Sequence, residues 1–311
     1  MGAVIRNYTR VEDLKRSWED GLWQLTLRST NQDKSVQGQS VNLTADIVLN
    51  LAGAWVDEVS NMAGSNSAAK CCGIKGIHIA LRLPEEFADW GLFTYNSIGE
   101  PIYCIPFRGI HYIGLTRTPF DGDPAGIHAT DQEIDWMLAE TNRCLPKLAV
   151  TRNDVLFSWA GVNPLTSDPA EPLGSRENKI HDLANDGLPG ILTLTGGPIM
   201  THRSVAKDLL AQVQDRLLPS RAPQDVQHVT IDDTGYSNAE IERCAREEMP
   251  MTLADLLMRR LGLGWEPDQG LGLAQEVANA AAPHMGWSED QIKDELNSYE
   301  AHLLAARRRP E

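Results

Sequence analysis

The chain has 311 residues, 42% of them hydrophobic, with a formal charge of -15 at pH 7. That length can bury a large core with a smaller domain besides, and so large an acidic excess excludes a general nucleic-acid binder, because neutralising phosphates takes clustered Lys and Arg. No run of about 18 apolar residues is present to span a bilayer, and the first residues lack the apolar core of a secretion signal, so the expected compartment is the cytoplasm.

Gly2–Tyr8 reads as a strand, Val11–Ser17 as a polar continuation, and Gly21–Leu27 as a second strand with clear alternation. Asn31–Gln39 is a polar hairpin loop. Val41–Ala45 and Asp46–Leu51 return as a strand pair, the second apolar throughout in the manner of a buried parallel strand. Gly53 ends it, and Trp55–Met62 forms a helix with Val56, Val59 and Met62 on one face. Five cysteines, Cys71, Cys72, Cys104, Cys144 and Cys244, show neither a disulfide framework nor paired C-x-x-C metal spacing; reduced, mostly buried thiols and no metal site are expected.

Antiparallel strands follow at Ile77–Leu83, Pro101–Pro106, Tyr112–Thr116 and Val155–Trp159. Between them a helix runs over Asp131–Cys144, opened by a capping box of Thr130 and Glu133. The Pro-rich Thr166–Gly174 reads as a loop. Ile191–Thr195 is a strand broken by Gly196 and Gly197. A helix then starts at Pro198, with Val205, Leu209, Leu210, Val213 and Leu217 at helical spacing. Glycines there let backbone approach a flat or anionic ligand, and the helix start offers unpaired N–H groups with partial positive charge. An ordinary tight connection between strand and helix is the alternative reading of the same pattern.

Ser220–Asp233 is a polar, Pro-containing linker, and the remainder is helical. Ser237 with Glu240 and Thr252 with Asp255 mark helix starts, and Pro250 separates the two. The basic run Arg307–Arg309 reads as a solvated helix end.

Several motifs resemble the FAD-dependent glycerol-3-phosphate dehydrogenases, within the D-amino-acid-oxidase-like flavoproteins. NLAGAWV (Asn50–Val56) is similar to N-A-A-G-P-W-V, KGIHIAL to K-G-S-H-I-V-V, and PIYCIPFRGIHYIGLTRTPFDGDP to F-V-I-P…I-G-T-T-D…G-D-P. DVLFSWAGVNPL resembles D-V-V-W-T-Y-S-G-V-R-P-L, SREN resembles T-R-D-Y, and LTLTGGPIMTHR resembles S-V-F-G-G-K-L-T-T-Y-R. TLADLLMRR and GWSEDQIKDELNSY resemble parts of the family's C-terminal helical domain, so the similarity covers nearly the whole chain.

The resemblance implies an α+β fold: a partial FAD-binding sheet with an antiparallel-sheet substrate domain over residues 1–222, followed by a C-terminal helical domain over 223–311. It implies FAD as cofactor, contacted by Val11, Gly53, Gly161, Gly196, Gly197, Pro198, Ile199, Met200 and Thr201. It implies oxidation of sn-glycerol 3-phosphate to dihydroxyacetone phosphate, with His78 as catalytic base and Arg176 and Asn163 on the substrate phosphate. The substrate class is then a small phosphorylated polyol, and the electron acceptor a quinone reached at the membrane surface. Two family cations are absent, since Asn163 stands where the family has arginine and Pro198 where it has lysine. Arg117 adds a cation near in sequence, expected at a solvent-facing strand end.

The family opens with a strand, a G-x-G-x-x-G turn and a helix that hold the FAD diphosphate. This sequence shows none: Gly262-x-Gly264-x-x-Pro267 follows a helix, the wrong context for a phosphate turn. The chain therefore corresponds to the C-terminal portion of the family, with a second chain carrying the dinucleotide-binding half as an expected partner. Two alternatives stay open: a non-catalytic remnant acting as an interaction module, and an FAD oxidoreductase for another hydroxy or amino substrate. Ile47–Leu51 would lack a neighbour, which predicts an exposed sheet edge, an apolar patch and self-association.

Overall fold

The computed structural model describes residues 3–30, 38–214, 216 and 236–307. Three strands, β1 (Thr9–Arg16), β2 (Trp23–Ser29) and β3 (Ser40–Ala45), precede a short β4 (Val48–Asn50), helix α1 (Val56–Met62) and the long β5 (Cys71–Leu81). Then come β6 (Leu92–Tyr95), β7 (Pro101–Phe107), β8 (Ile110–Gly114), the two-residue β9 (Thr118–Pro119) and helix α2 (Asp131–Cys144). Strands β10 (Val155–Asp168), β11 (Glu171–Ser175), β12 (Lys179–Asp182) and β13 (Ile191–Thr195) lead to helix α3 (His202–Gln214). The last part holds α4 (Asn238–Glu247), a π-helical turn (Asp255–Arg260), α5 (Ala274–Met285) and α6 (Glu289–Ala306).

The chain forms two compact units, one of residues 1–74, 119–121 and 162–231, the other of 75–118, 122–161 and 232–311; β5 and β10 run through both. In the first unit β1, β2 and β3 make an antiparallel meander. The strand expected at Gly2–Tyr8 is instead β1, eight residues on. Leu14 and Trp23 supply the reason, since both are buried with Leu183, Leu188 and Ile191, and the Trp23 indole donates to the Pro189 carbonyl at 3.1 Å. Val4 and Ile5 are exposed and anchor nothing. The hairpin loop expected at Asn31–Gln39 falls mostly on residues 31–37, outside the described residues.

A second small sheet, ordered β12-β13-β4, contains the parallel pair β13 and β4, with Ile191 opposite Val48 and Thr193 opposite Asn50. The parallel character expected of the apolar Asp46–Leu51 stretch is thus present. Its expected pairing with Val41–Ala45 is not, because β3 pairs only with β2 and β4 with β13. Helix α3 packs Val205, Leu209 and Val213 against Leu192. Leu210, expected on that face, is exposed, and Leu217 lies outside the described residues, as does the linker 220–233.

Residues 166–174, expected as a loop, continue β10 and turn back as β11, with Thr166 opposite Ser175 and Asp168 opposite Glu171. The prolines are accommodated because Pro169 sits in the turn and Pro172 on an edge strand, where a missing N–H costs no ladder bond.

In the second unit the strands follow the order β10-β5-β8-β7-β6. One sheet face carries Ile77, Ile79, Leu81, Ile102, Cys104 and Ile113, packed against Ile134, Met137 and Leu138 of α2. The capping box that starts α2 forms as expected: the Thr130 hydroxyl accepts from the Glu133 N–H, and the Glu133 carboxylate accepts from the Thr130 N–H at 2.9 Å. Alternation puts His78, Tyr103, Tyr112 and Gly114 together on the opposite face. The C-terminal helices have their own core of Leu253, Leu256, Leu257, Val277, Ala278, Ala281, Tyr299 and Leu303. All five cysteines are free, but only Cys104 and Cys244 are fully buried, so mostly buried thiols was an overestimate.

Candidate active site

His78 projects from β5 directly opposite Gly114 of β8, which is itself opposite Tyr103 of β7. A side chain at 114 would overlap the imidazole, so glycine there is what lets the ring lie flat across β8. The imidazole stacks on Trp159 of β10, with ring centroids 5.1 Å apart and planes 8° apart. Its Nε2 is 3.0 Å from the Tyr103 hydroxyl, and the Tyr112 ring meets it edge-on at 6.0 Å. Burial in this aromatic setting pulls the imidazole down to about 4, so it is neutral near pH 7.

Below Trp159 lies an arrangement that sequence reasoning missed. The Arg307 guanidinium sits 4.2 Å from the Trp265 ring centroid, 4.5 Å from that of Phe157 and 5.6 Å from that of Trp159. The residue is 4% exposed, so the expected solvated helix end is corrected at this position. Residues 308–311 lie outside the described residues. Arg117 is likewise not a free strand end, because it pairs with Glu100 at 3.1 Å and is largely covered.

The other candidate residues occupy the first unit, except Gly161, which belongs to the second and lies exposed on β10 with open space where a side chain would go. Four stretches of the first unit converge. The Gly196 N–H donates to the carbonyl of Pro164, next to Asn163, at 2.9 Å; the Gly197 N–H donates to the Arg176 carbonyl at 3.0 Å. A Cβ on Gly53 would come 4.0 Å from the Pro164 ring. Beneath the turn, the Thr195 hydroxyl contacts both the Thr166 hydroxyl and His181 Nε2, each at 2.8 Å. Burial, with Lys179 and Lys70 adding to it, lowers the His181 pKa.

Both glycines have left-handed backbone, φ 67° and 77°, and a side chain on Gly196 would collide with the Glu177 carbonyl. Asn163 and Arg176 are exposed. The helix expected to start at Pro198 starts at His202. Pro198 is extended, and Ile199–Thr201 form a single 3-10 turn ahead of α3. Val11 stands apart in the meander, paired with Leu27.

The N–H groups of Gly196 and Gly197 are spent on internal carbonyls, which leaves those leading the turn at Ile199 and Met200, ahead of its first bond from Thr201 N–H to the Pro198 carbonyl. Pro198, Ile199 and Met200 are exposed. This set fits the ring side of a flavin. Among the described residues no strand, G-x-G-x-x-G turn and helix is present for the diphosphate.

A sheet with a helix on one face and a half-buried histidine on the other, and a parallel strand pair ending in a double glycine ahead of a helix, define an α+β fold of the flavoprotein oxidoreductase class. The chain belongs to the FAD-dependent oxidoreductase family, whose model matches residues 1–203. Residues 206–292 match the C-terminal domain of alpha-glycerophosphate oxidase.

The chain is similar to the glycerol-3-phosphate dehydrogenase of Synechocystis sp., 26% identical, covering 97% of this chain and 66% of that protein. It is 29% identical to the mitochondrial glycerol-3-phosphate dehydrogenase of Macaca fascicularis over 67% of this chain and 29% of the relative. Identity is also 29% to the aerobic enzyme of Staphylococcus aureus strain MRSA252, over 70% and 38% respectively. The chain thus matches at most 66% of the length of these relatives. The solved glycerol-3-phosphate dehydrogenase of Bacillus halodurans, complexed with FAD, shares the fold with a TM-score of 0.73 at 19% identity, over 97% of this chain and 69% of that one.

Proposed function

We propose that this chain supplies the flavin-ring and substrate side of an FAD-dependent dehydrogenase that oxidises the secondary alcohol of glycerol 3-phosphate or a close phosphorylated polyol. The observation that carries the reading is His78: an imidazole kept neutral by burial and fixed by Trp159 and Tyr103. Oxidising an alcohol requires removal of its hydroxyl proton, and a neutral, oriented imidazole accepts it. FAD, when bound, supplies the hydride acceptor.

This chain's residues do the remaining work. The backbone of Pro198–Thr201 is the flavin-facing segment. The N–H groups at the start of its turn, with the α3 dipole behind them, favour the negative charge that gathers on the ring on reduction. Arg176 serves the substrate phosphate through its planar fork, and Asn163 offers an amide where a second cation would bind more tightly. Gly53 keeps backbone low beside the ring.

Leu49, Leu51, Trp55, Ile199 and Met200 of the first unit are all exposed. That apolar set favours a further segment covering it, most simply a second polypeptide stretch carrying the diphosphate-binding half; a quinone acceptor would receive the electrons at a membrane surface. The test is to incubate the chain with FAD, alone and with a dinucleotide-binding half from a relative, desalt, and record flavin absorbance before and after glycerol 3-phosphate. Retained flavin that bleaches with substrate is the expected outcome. No retained flavin in either mixture refutes the reading, and bleaching only by an amine or another hydroxy acid moves it to a different substrate.

A further inference from the structure

Arg307 is a buried cation with no carboxylate partner among the described residues. Its Nη1 donates to the Gly264 carbonyl at 2.9 Å, while Nε and Nη2 are enclosed without a hydrogen-bond partner. The backbone is pinned as well: its N–H donates to the Leu303 carbonyl at 2.8 Å, and its own carbonyl accepts from the Gln269 side chain at 3.3 Å. Burying an arginine in this state is costly, and beside the Gly264 carbonyl it is the aromatic faces that offset the cost.

Those faces belong to a connected set. Trp159 meets Trp265 at 5.3 Å and 87°, Phe157 at 5.9 Å, and Tyr112 at 6.0 Å. Trp265 in turn meets Phe107 at 5.8 Å. The ring shared between the arginine cage and the histidine is Trp159.

We propose that Arg307 is a positioning residue: by filling the cage of Phe157, Trp159 and Trp265 it fixes the Trp159 ring in the plane on which the His78 imidazole stacks. The end of α6 thereby sets the geometry of a side chain on β5. The proposal deepens the functional reading above, since it concerns the residue assigned there as proton acceptor. A planar guanidinium suits the task better than an ammonium because it packs flat against rings while its charge holds their faces. Loosening Trp159 would tilt the imidazole and admit water to it, relieving the burial that keeps it neutral. The titratable groups in ring contact with His78 are Tyr103 on β7 and Tyr112 on β8; from the C-terminal segment the nearest charge to Trp159 is Arg307 itself.

The test is the histidine titration followed by NMR on the whole chain without flavin or substrate, with the His78 signal assigned by its loss in His78→Gln. In the unsubstituted chain it is expected to titrate at about 4. Arg307→Met is expected to raise it by about one unit, toward the ordinary value, and to change the tryptophan fluorescence. Arg307→Lys is expected to raise it by a smaller amount, and decides the matter if the methionine variant fails to fold. Lys293→Ala, on the exposed side of α6, serves as the control and leaves it unchanged.

A purely structural arginine would lower Tm and leave the imidazole titrating where it did. That result in whichever Arg307 variant folds overturns the proposal. Because no step requires flavin, failure here and failure of the dehydrogenase reading remain separate results.

Discussion

The His78 face and the double-glycine turn are built on opposite plans. Around His78 the rings are packed against one another within their own unit: Tyr103 on Nε2, Trp159 against the plane, and Arg307 behind Trp159. At Gly196–Gly197 the inward side is equally committed, to Pro164 and Arg176, but the chain then presents Pro198, Ile199 and Met200 outward. On the proposed reading the first region serves proton transfer, and the second is a surface for a further segment and the flavin to cover. Charge follows the same division, because the aromatic face encloses a cation while the turn itself presents only Pro198, Ile199 and Met200.

The sharpest way to break this contrast is to remove the base while leaving the turn alone. His78→Gln is expected to lower the rate of flavin bleaching by about 100- to 10,000-fold, with flavin retention after desalting unchanged. Loss of flavin in this variant would show that the two regions are not separable in function.

The next largest effect is expected at the turn itself. Gly196→Ala puts a side chain at φ 67° against the Glu177 carbonyl, which costs on the order of 2–3 kcal/mol. Chemical denaturation should show that loss, together with reduced flavin retention. Wild-type stability in this variant would mean that the turn relaxes freely and is not the rigid platform inferred here.

Restoring charge sharpens the comparison from the other direction. Asn163→Arg supplies the missing fork beside Arg176, and one charge-assisted contact of about 1.4 kcal/mol corresponds to roughly tenfold in binding. KM for glycerol 3-phosphate is expected to fall by about that factor with kcat little changed. An unaltered KM would place residue 163 away from the phosphate and point to a substrate of different charge.

How much of this was legible in the sequence depended on the range of the interaction. The Thr130–Glu133 box lies within four residues, and both halves form. The parallel character of Val48–Asn50 was visible in the apolar run that contains it, although Leu49 is exposed. The β10–β11 hairpin was hidden by prolines, which mark a loop by composition yet sit harmlessly in a turn and on an edge. The start of α3 was displaced because Pro198 adopts an extended conformation and the chain takes one tighter turn before His202.

His78 was singled out through its motif, but its environment was not legible. Nothing in the spacing of Tyr103, Gly114 and Trp159 states that they share a face until the strand register is known. Arg307 was least legible of all: three arginines in a row describe solvent, and only tertiary packing can turn the first of them onto three rings contributed from positions 157, 159 and 265.

The remaining effect is a dependence of stability on pH, read as a slope, and it reports on the His78 face. The His78 pKa in the folded chain is about 4, below its ordinary value of about 6.5. Between those two pH values the unfolded chain binds the proton and the folded chain does not. Stability therefore falls as pH drops from about 6.5 to about 4, and this group adds no further change below that. His181 in the first unit and His302 on α6 are also lowered, chiefly by burial, so they contribute with the same sign. His78→Gln should accordingly flatten the acid limb of a denaturation series without abolishing it, by at most about 1.4 kcal/mol per pH unit for one proton. If the limb is as steep in the variant as in the parent, the imidazole is hydrated in the folded chain and the dry aromatic face is not what distinguishes it from the turn.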